Sequence, residues 1–339
     1  MRTASTINAI EREAPVRRAI AWMLYLVLGA TAAGCDRTDA AWTSVPELAQ
    51  DTWIQDAGRH GEDLWLLLRE RGDQRRVLAR LQQASPRLTD RIELPTDAAF
   101  LENGKLLAIG PGEAGLVPLS PEPGGPLPEQ SHRRARVQEA VLLADGVVLA
   151  LGEFPQGDQL IAGAILVTND LRPIENVDLP PHSYSLQTDH GGGAWVLPGS
   201  SSDPLFRVLN GKFEPVDSES TVSPECRGIL GVLPSGEVVC RGDFWESDAV
   251  LAGDRPIALP RTLKTGMSVL LLGETLVYCA QRDIVSIDLQ TGTSSVLRTP
   301  GKPKLLPLTG DPAAAVATTD RGYIAIIRVG EGNAVVEAP

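Results

Sequence analysis

Aromatic residues are scarce in this 339-residue chain, at 4% of the total. A core built on large rings is therefore excluded, and burial must come from Leu, Val, Ile and Ala. Cysteine is scarcer still, and four residues cannot staple a disulfide-built mini-domain. Basic side chains are outnumbered, 31 Lys and Arg against 43 Asp and Glu, for a formal charge of -12. Phosphate neutralisation needs clustered Lys and Arg, so nucleic acid is not an expected partner. The longest apolar run, Ala19–Ala33, is fifteen residues. That is shorter than the ~20 residues of a membrane-spanning helix.

Chain punctuation, by contrast, is abundant. The 33 Gly and 26 Pro together make about 17% of the residues, against roughly 12% in average usage. This is too much for a helical bundle and too little for a low-complexity chain. Hydrophobic residues, at 43%, suffice for one large core or two smaller ones.

Residues 1–34 read as a targeting segment. Arg17-Arg18 end a polar region, Ala19–Ala33 form the apolar stretch, and Thr31-Ala32-Ala33-Gly34-Cys35 closes it. Those five residues resemble the lipobox of bacterial lipoproteins. Ala33 and Gly34 fit the pattern, whereas Ala32 stands where the family usually has Leu. The resemblance implies cleavage before Cys35, a lipid on Cys35, and a domain tethered to a bacterial membrane, periplasmic or cell-surface exposed. An uncleaved signal anchor is the alternative, and it too places the body outside the cytoplasm. Removing residues 1–34 takes away four Arg and two Glu, leaving 27 basic and 41 acidic side chains, net -14. No polybasic membrane patch is expected, so membrane attachment falls to the lipid.

Beyond residue 50 a motif recurs: an apolar strand, a turn containing Gly, and a second apolar strand. The turn glycines are Gly61, Gly104, Gly146, Gly193, Gly236, Gly273 and Gly310, spaced by 43, 42, 47, 43, 37 and 37 residues. Asn103-Gly104 and Asp145-Gly146 are the strongest type I′ hairpin signals. Each repeat continues with another hairpin, as in LFRVLNGKFEPV with its Asn210-Gly211 turn. Several repeats end near a Pro (Pro95, Pro180, Pro260, Pro300 and Pro339), which suits an outer edge strand because no N–H is needed there.

Four strands every ~42 residues is the period of a propeller blade. The fold expected is all-β, a seven-bladed β-propeller of four-stranded antiparallel blades. Its blades span approximately 51–95, 96–136, 137–180, 181–217, 226–260, 266–300 and 304–339, after a tether of residues 35–50. The segment Leu276–Gly292 (LVYCAQRDIVSIDLQTG) shows best that the repeats resemble generic quinoprotein-like and YVTN-like blades. No motif narrower than that recurs. Ser120–Val137 is too rich in Pro and Gly for two regular strands and is expected to bulge. Ala41–Pro46 either pairs beside the seventh blade or leads into the domain. The second is preferred, because the seventh blade already has four strands.

Known propellers meet ligands on the face made by second-to-third-strand loops and blade-to-blade connections. Every such loop here offers a carboxylate: Asp73, Glu113, Glu153 with Asp158, Asp203, Asp243 with Glu246 and Asp248, Asp283, and Asp320. A ring of acids would draw a cation or a basic partner. The preferred reading is plainer, since a chain of this charge carries acids in most loops. Gly242–Asp248 (GDFWESD) stands out, with Phe244 and Trp245 among three acids. Aromatic side chains are favoured at binding hot spots, and the alternative is that Trp245 tucks between blades. His182 and Tyr184 add a polar interblade connection to the same candidate binding face, with Asp203 on a neighbouring loop.

No His-x-His, HExxH or Cys-x-x-Cys pair is present, so no transition-metal site is expected. Loop carboxylates suit calcium in kind, yet no D-x-D-x-D-G loop appears, and no cofactor is expected. Once Cys35 is lipidated, Cys226, Cys240 and Cys279 remain. Pairing across the Ser235-Gly236 turn sets Cys240 opposite Gly231, which leaves Cys226 too far away for a disulfide.

Two functions compete. One is a non-catalytic protein-interaction platform, a monomeric domain docking an envelope protein. The other is a small-ligand or cation binder, or a lactonase- or lyase-like enzyme using acids at the central channel. An enzyme needs acids or histidines converging on the channel, whereas a platform can leave them scattered on the rim.

Overall fold

The computed structural model describes residues 41–339 except 49–51, 61–62, 71–74, 83–85, 95–96, 102–103, 110–113, 120–135, 157–158, 181–183, 190, 218–220, 244 and 331–332. A two-residue strand, β1 (Thr43–Ser44), comes first. Blade one follows with β2 (Thr52–His60), β3 (Asp63–Glu70), β4 (Arg76–Gln82) and β5 (Arg87–Leu94). Blade two holds β6 (Ala98–Phe100), β7 (Leu106–Ile109) and β8 (Leu116–Leu119), and blade three β9 (Arg136–Leu142), β10 (Val148–Gln156), β11 (Gln159–Val167) and β12 (Pro173–Asp178). Blade four is β13 (Tyr184–Thr188), β14 (Ala194–Pro198), β15 (Leu205–Leu209) and β16 (Lys212–Val216). Blade five is β17 (Gly228–Val232), β18 (Val238–Arg241), β19 (Glu246–Ala252) and β20 (Arg255–Lys264). Blade six is β21 (Val269–Leu272), β22 (Thr275–Ala280), β23 (Asp283–Asp288) and β24 (Ser294–Arg298). Blade seven is β25 (Pro303–Pro307), β26 (Ala314–Thr319), β27 (Tyr323–Gly330) and β28 (Asn333–Glu337).

Each blade is an antiparallel meander in chain order, so its first strand is innermost and its last lies on the outer edge. The first strands meet around the ring: β2 touches β6, β6 touches β9, β9 touches β13, β17 touches β21, β21 touches β25, and β25 touches β2. The fold is a seven-bladed β-propeller, as the repeats require. Blade two shows three strands among the described residues, and the expected bulge within Ser120–Val137 falls almost wholly outside them.

Second strands are near-continuous apolar runs because both of their faces are covered by neighbouring blades. In β3, Leu64, Leu66 and Leu68 point toward blade seven, while Trp65 and Leu67 point toward blade two. That two-residue alternation repeats, and it divides the core into seven hydrophobic clusters, one at each blade interface. Propeller stability is therefore distributed over interfaces and has no single centre.

Of its two possible places, Ala41–Pro46 takes the one beside the seventh blade. Thr43 pairs with Ile324 and Ser44 with Tyr323 on the edge of β27, whose remaining length is taken by β28. Room exists because β28 covers only Ile326–Gly330, so a four-stranded blade still leaves part of that edge open. Trp42, Val45 and Leu48 are buried beside it, which joins the two ends of the described chain in one sheet.

Turn chemistry differs in detail from expectation. Type I′ geometry occurs at Asn210-Gly211, with φ of 51° and 67°. At Asp145-Gly146 only the glycine is left-handed. There the Leu143 and Val147 backbones close a longer loop, and the Asp145 carboxylate accepts the Val147 N–H at 3.1 Å.

Candidate functional site

Antiparallel meanders place the first-to-second-strand turns at one end of the blades. The second-to-third loops and the blade connections lie at the other. On this second face the β18–β19 loop is held by its own side chains. Asp243 Oδ1 accepts the N–H groups of Trp245 at 2.7 Å and Glu246 at 3.3 Å. Ser247 Oγ donates to the Asp243 carbonyl at 3.2 Å, and Thr265 N–H donates to the Trp245 carbonyl at 2.8 Å. Glu246 pairs with Lys264 at 2.6 Å, and Asp248 accepts the Thr262 hydroxyl at 2.6 Å. Asp, Ser and Thr make such local bonds with low strain, which is why this short polar sequence orders without a core.

The result is a pinned loop that presents an indole to solvent. Trp245 is 71% exposed, so it does not tuck between blades. Backbone N–H donors from Trp245 and Glu246 hold the Asp243 carboxyl below its ordinary value, with Arg241 assisting. Sequence reasoning passed over a second aromatic on this face: Trp53, at the start of β2, is 53% exposed. The remaining proposed residues differ. Tyr184 is buried in the interface between blades three and four. Burial pushes its phenol up to about 12, and the charge of neighbouring Asp203 adds to the shift. Asp203 lies on the β14–β15 loop. Phe244, His182 and Cys35 lie outside the described residues.

Among the described residues the loop acids do not form an open ring. Asp283 is buried against Arg298 at 3.0 Å and Arg261 at 3.5 Å. Glu153 faces Arg136 at 3.8 Å, and Asp320 accepts the Lys302 N–H at 2.8 Å. Among the described residues, no three His, Cys, Asp or Glu gather as metal ligands would. Asp73, Glu113 and Asp158 fall outside the described residues.

Acids instead converge where none was expected, on the first strands. A cavity of about 460 Å³ lies between the inner strands, lined by apolar side chains such as Leu186, Leu230, Leu271 and Leu306 together with Asp56 and Glu139. Asp56 accepts the N–H groups of Phe100 and Ala57, both at 2.8 Å, and Glu139 accepts that of Leu186 at 2.6 Å. Burial pushes Asp56 up to about 6 and Glu139 up to about 7. The backbone N–H groups oppose both shifts, while the charge of Asp56 adds to that on Glu139.

These contacts belong to a wider pattern. A polar side chain on one inner strand reaches the backbone of the next blade: Asp56 to Phe100, Glu139 to Leu186, and Gln187 to Val232. Gln187 makes two bonds, accepting from Val232 N–H at 2.9 Å and donating to its carbonyl at 2.6 Å. Lys304 continues the pattern across the ring closure to the Ile54 carbonyl at 3.0 Å. The available signal was a polar pair interrupting an apolar first strand, as in Gln55-Asp56 and Gln138-Glu139.

No family model matches the chain, and no curated protein matches it. Solved structures do. The structure titled "YCF48 bound to D1 peptide" superposes with a TM-score of 0.52 at 12% identity, covering 86% of this chain and 96% of that one. The Neurospora crassa Pan2 WD40 domain gives 0.52 at 9% identity, covering 88% and 98%. Both likenesses are of fold.

Proposed function

We propose that this chain is a lipid-tethered, extracytoplasmic propeller that acts as a non-catalytic protein-interaction platform. The observation that carries this reading is Trp245, exposed on a loop whose hydrogen bonds fix it before any partner arrives. A rigid aromatic loses little conformational entropy on binding and buries a large apolar area, which is why such residues dominate interfaces. The described loop acids support the same reading, because most of them are already engaged with basic side chains or backbone N–H groups. YCF48 bound to D1 peptide is a precedent for a chain of this fold meeting a polypeptide. The tether rests on the lipobox-like residues ending at Cys35, and the resemblance supplies the membrane and the compartment.

The test is cross-linking of the lipidated protein in its own cell envelope, followed by identification of what is captured. Trp245→Ala should reduce recovery of a specific partner by roughly 30-fold, the scale of a hot-spot residue. Unchanged recovery would remove the loop from the proposal. Cys35→Ser should release the protein from the membrane fraction, and persistence there would refute the lipid anchor.

The central cavity favours a second reading, the binding of a small ligand. Its volume lies within the ~300–1,000 Å³ usual for such pockets, and Asp56 and Glu139 supply a convergence of acids that the described loops lack. A thermal shift with calcium or small organic cations that disappears in Glu139→Gln, while Trp245→Ala leaves partner recovery intact, would favour this reading over the platform.

A further inference from the structure

The two cysteines of blade five stand closer than simple pairing across their hairpin allows. A two-residue Ser235-Gly236 turn would set Cys240 opposite Gly231. The turn is longer, pairing Val232 with Val238, and β17 then slips one residue between Ile229 and Gly231, so that Cys240 faces Ile229. Cys226 precedes β17 in a tight turn. Its N–H donates to the Ser223 carbonyl at 2.9 Å, and Arg227 N–H donates to the Arg241 carbonyl at 2.8 Å. These bonds fold the connection over the end of β18, which brings Cys226 beside Cys240 in one buried cluster. Both are buried in the cluster between blades four and five, whereas Cys279 belongs to the cluster between blades six and seven.

We propose that Cys226 and Cys240 are a disulfide-forming pair, a modification site that ties the connection between blades four and five to the second strand of blade five. Disulfide formation needs the two neighbouring sulfurs to close to a covalent S–S length of ~2 Å. The hydrogen bond from Cys240 leads the influences that hold the Cys226 thiol below its ordinary value, with the Gly228 N–H, Arg227 and Ser201 acting in the same direction against burial. The same contact and burial push Cys240 up. Cys226, beside Arg227 and the Gly228 N–H and flanked by exposed residues, is the attacking sulfur, and Cys240 the resolving one.

With a small-molecule disulfide as oxidant, the Cys226 thiolate attacks one reagent sulfur. The reagent S–S bond breaks, and one thiol departs with the proton that Cys226 gave up. The Cys240 sulfur then attacks the Cys226 sulfur of the mixed disulfide. The second reagent thiol leaves with the Cys240 proton. Two electrons pass from the protein to the reagent. Although Cys226 itself is buried, Pro224, Glu225 and Arg227 around it are exposed, so a local opening of this connection admits the reagent.

The full-length protein, first reduced, is incubated with glutathione disulfide, quenched in acid, alkylated under denaturing conditions and mapped by peptide mass. The expected product is a Cys226–Cys240 cross-linked peptide, lighter by two hydrogens, with Cys279 fully alkylated. The oxidised protein should melt a few degrees higher, and reductant should reverse the rise. Cys240→Ala should arrest the reaction as a glutathione adduct on Cys226. Alkylation of both Cys226 and Cys240 throughout, a link through Cys35 or Cys279, or a lasting glutathione adduct on wild-type Cys226 would each overturn the assignment. The peptide map is read on the wild type, so its outcome does not depend on a variant folding.

Discussion

Carboxylates in two regions of the propeller meet opposite electrostatics. On the loop face Asp243 is solvated and accepts backbone N–H bonds, which hold its carboxyl below the ordinary value. In the channel Asp56 and Glu139 also accept backbone N–H bonds, yet both are pushed up. The donors are alike in kind, so the difference is desolvation. One or two N–H bonds stabilise a carboxylate that keeps its water, and they do not replace that water between packed inner strands. The loop face can afford charge, whereas the channel holds it against a cost.

The largest effect that tests this contrast is pH-dependent stability. Asp56 and Glu139 have folded-state values of about 6 and about 7 against ordinary values of 3.8 and 4.5, so the folded chain retains protons the unfolded chain has released. Their contribution is full below about pH 4 and is lost as pH rises through the folded-state values. The double variant Asp56→Asn, Glu139→Gln keeps carbonyl acceptors for the same N–H groups. At pH 8 it should be more stable than the wild type by on the order of 3–5 kcal/mol, the two sites being coupled. Urea melts at pH 4.5 and pH 8 read this directly, and an equal pH response in both proteins would dissolve the contrast.

Gln187→Ala should follow in size. It leaves the N–H and carbonyl of Val232 without their partner at the inner wall, at a cost of about 2–3 kcal/mol. A lower urea midpoint at unchanged slope would show this. On the loop face, Asp243→Ala should leave global stability unmoved and speed hydrogen exchange at the Trp245 and Glu246 amides. Acid should lower the protection of the same amides in the wild type, measured against their intrinsic exchange rates, because a lowered carboxyl contributes order above its ordinary value and loses it as pH falls. Protection that survives the substitution would mean other bonds hold the loop. The smallest effect belongs to Lys264→Ala, which breaks an exposed pair and should cost at most ~1 kcal/mol, fading as salt is added.

Much of the architecture was legible because it is written locally. The alternation of Leu64 to Leu68 already sorts side chains between two blade interfaces, and turn glycines at a steady period already count the blades. The Trp245 loop was legible too, since a Trp among acids in a polar turn has few other uses, although its exposure was not. Register was less so. A longer turn and a one-residue slip in β17 together move Cys240 by two positions against its partner strand, and no composition signal marks them. The channel acids were hidden for a different reason. Asp56 and Phe100 are 44 residues apart, Glu139 and Leu186 47 apart, and nothing near either acid names the backbone it meets.

The sequence by itself determined the repeating hairpins, strands covered on two faces, and prolines in or just after several outer strands. These follow from side-chain alternation and turn conformation, which act over a few residues. Only the tertiary structure decided which acids are neutralised by arginine, which are stranded in the channel, how the strand at Thr43–Ser44 meets β27, and that Cys226 and Cys240 share one buried cluster. Each of those depends on the distance between segments many residues apart. In a closed ring that distance is set by packing the blades against one another.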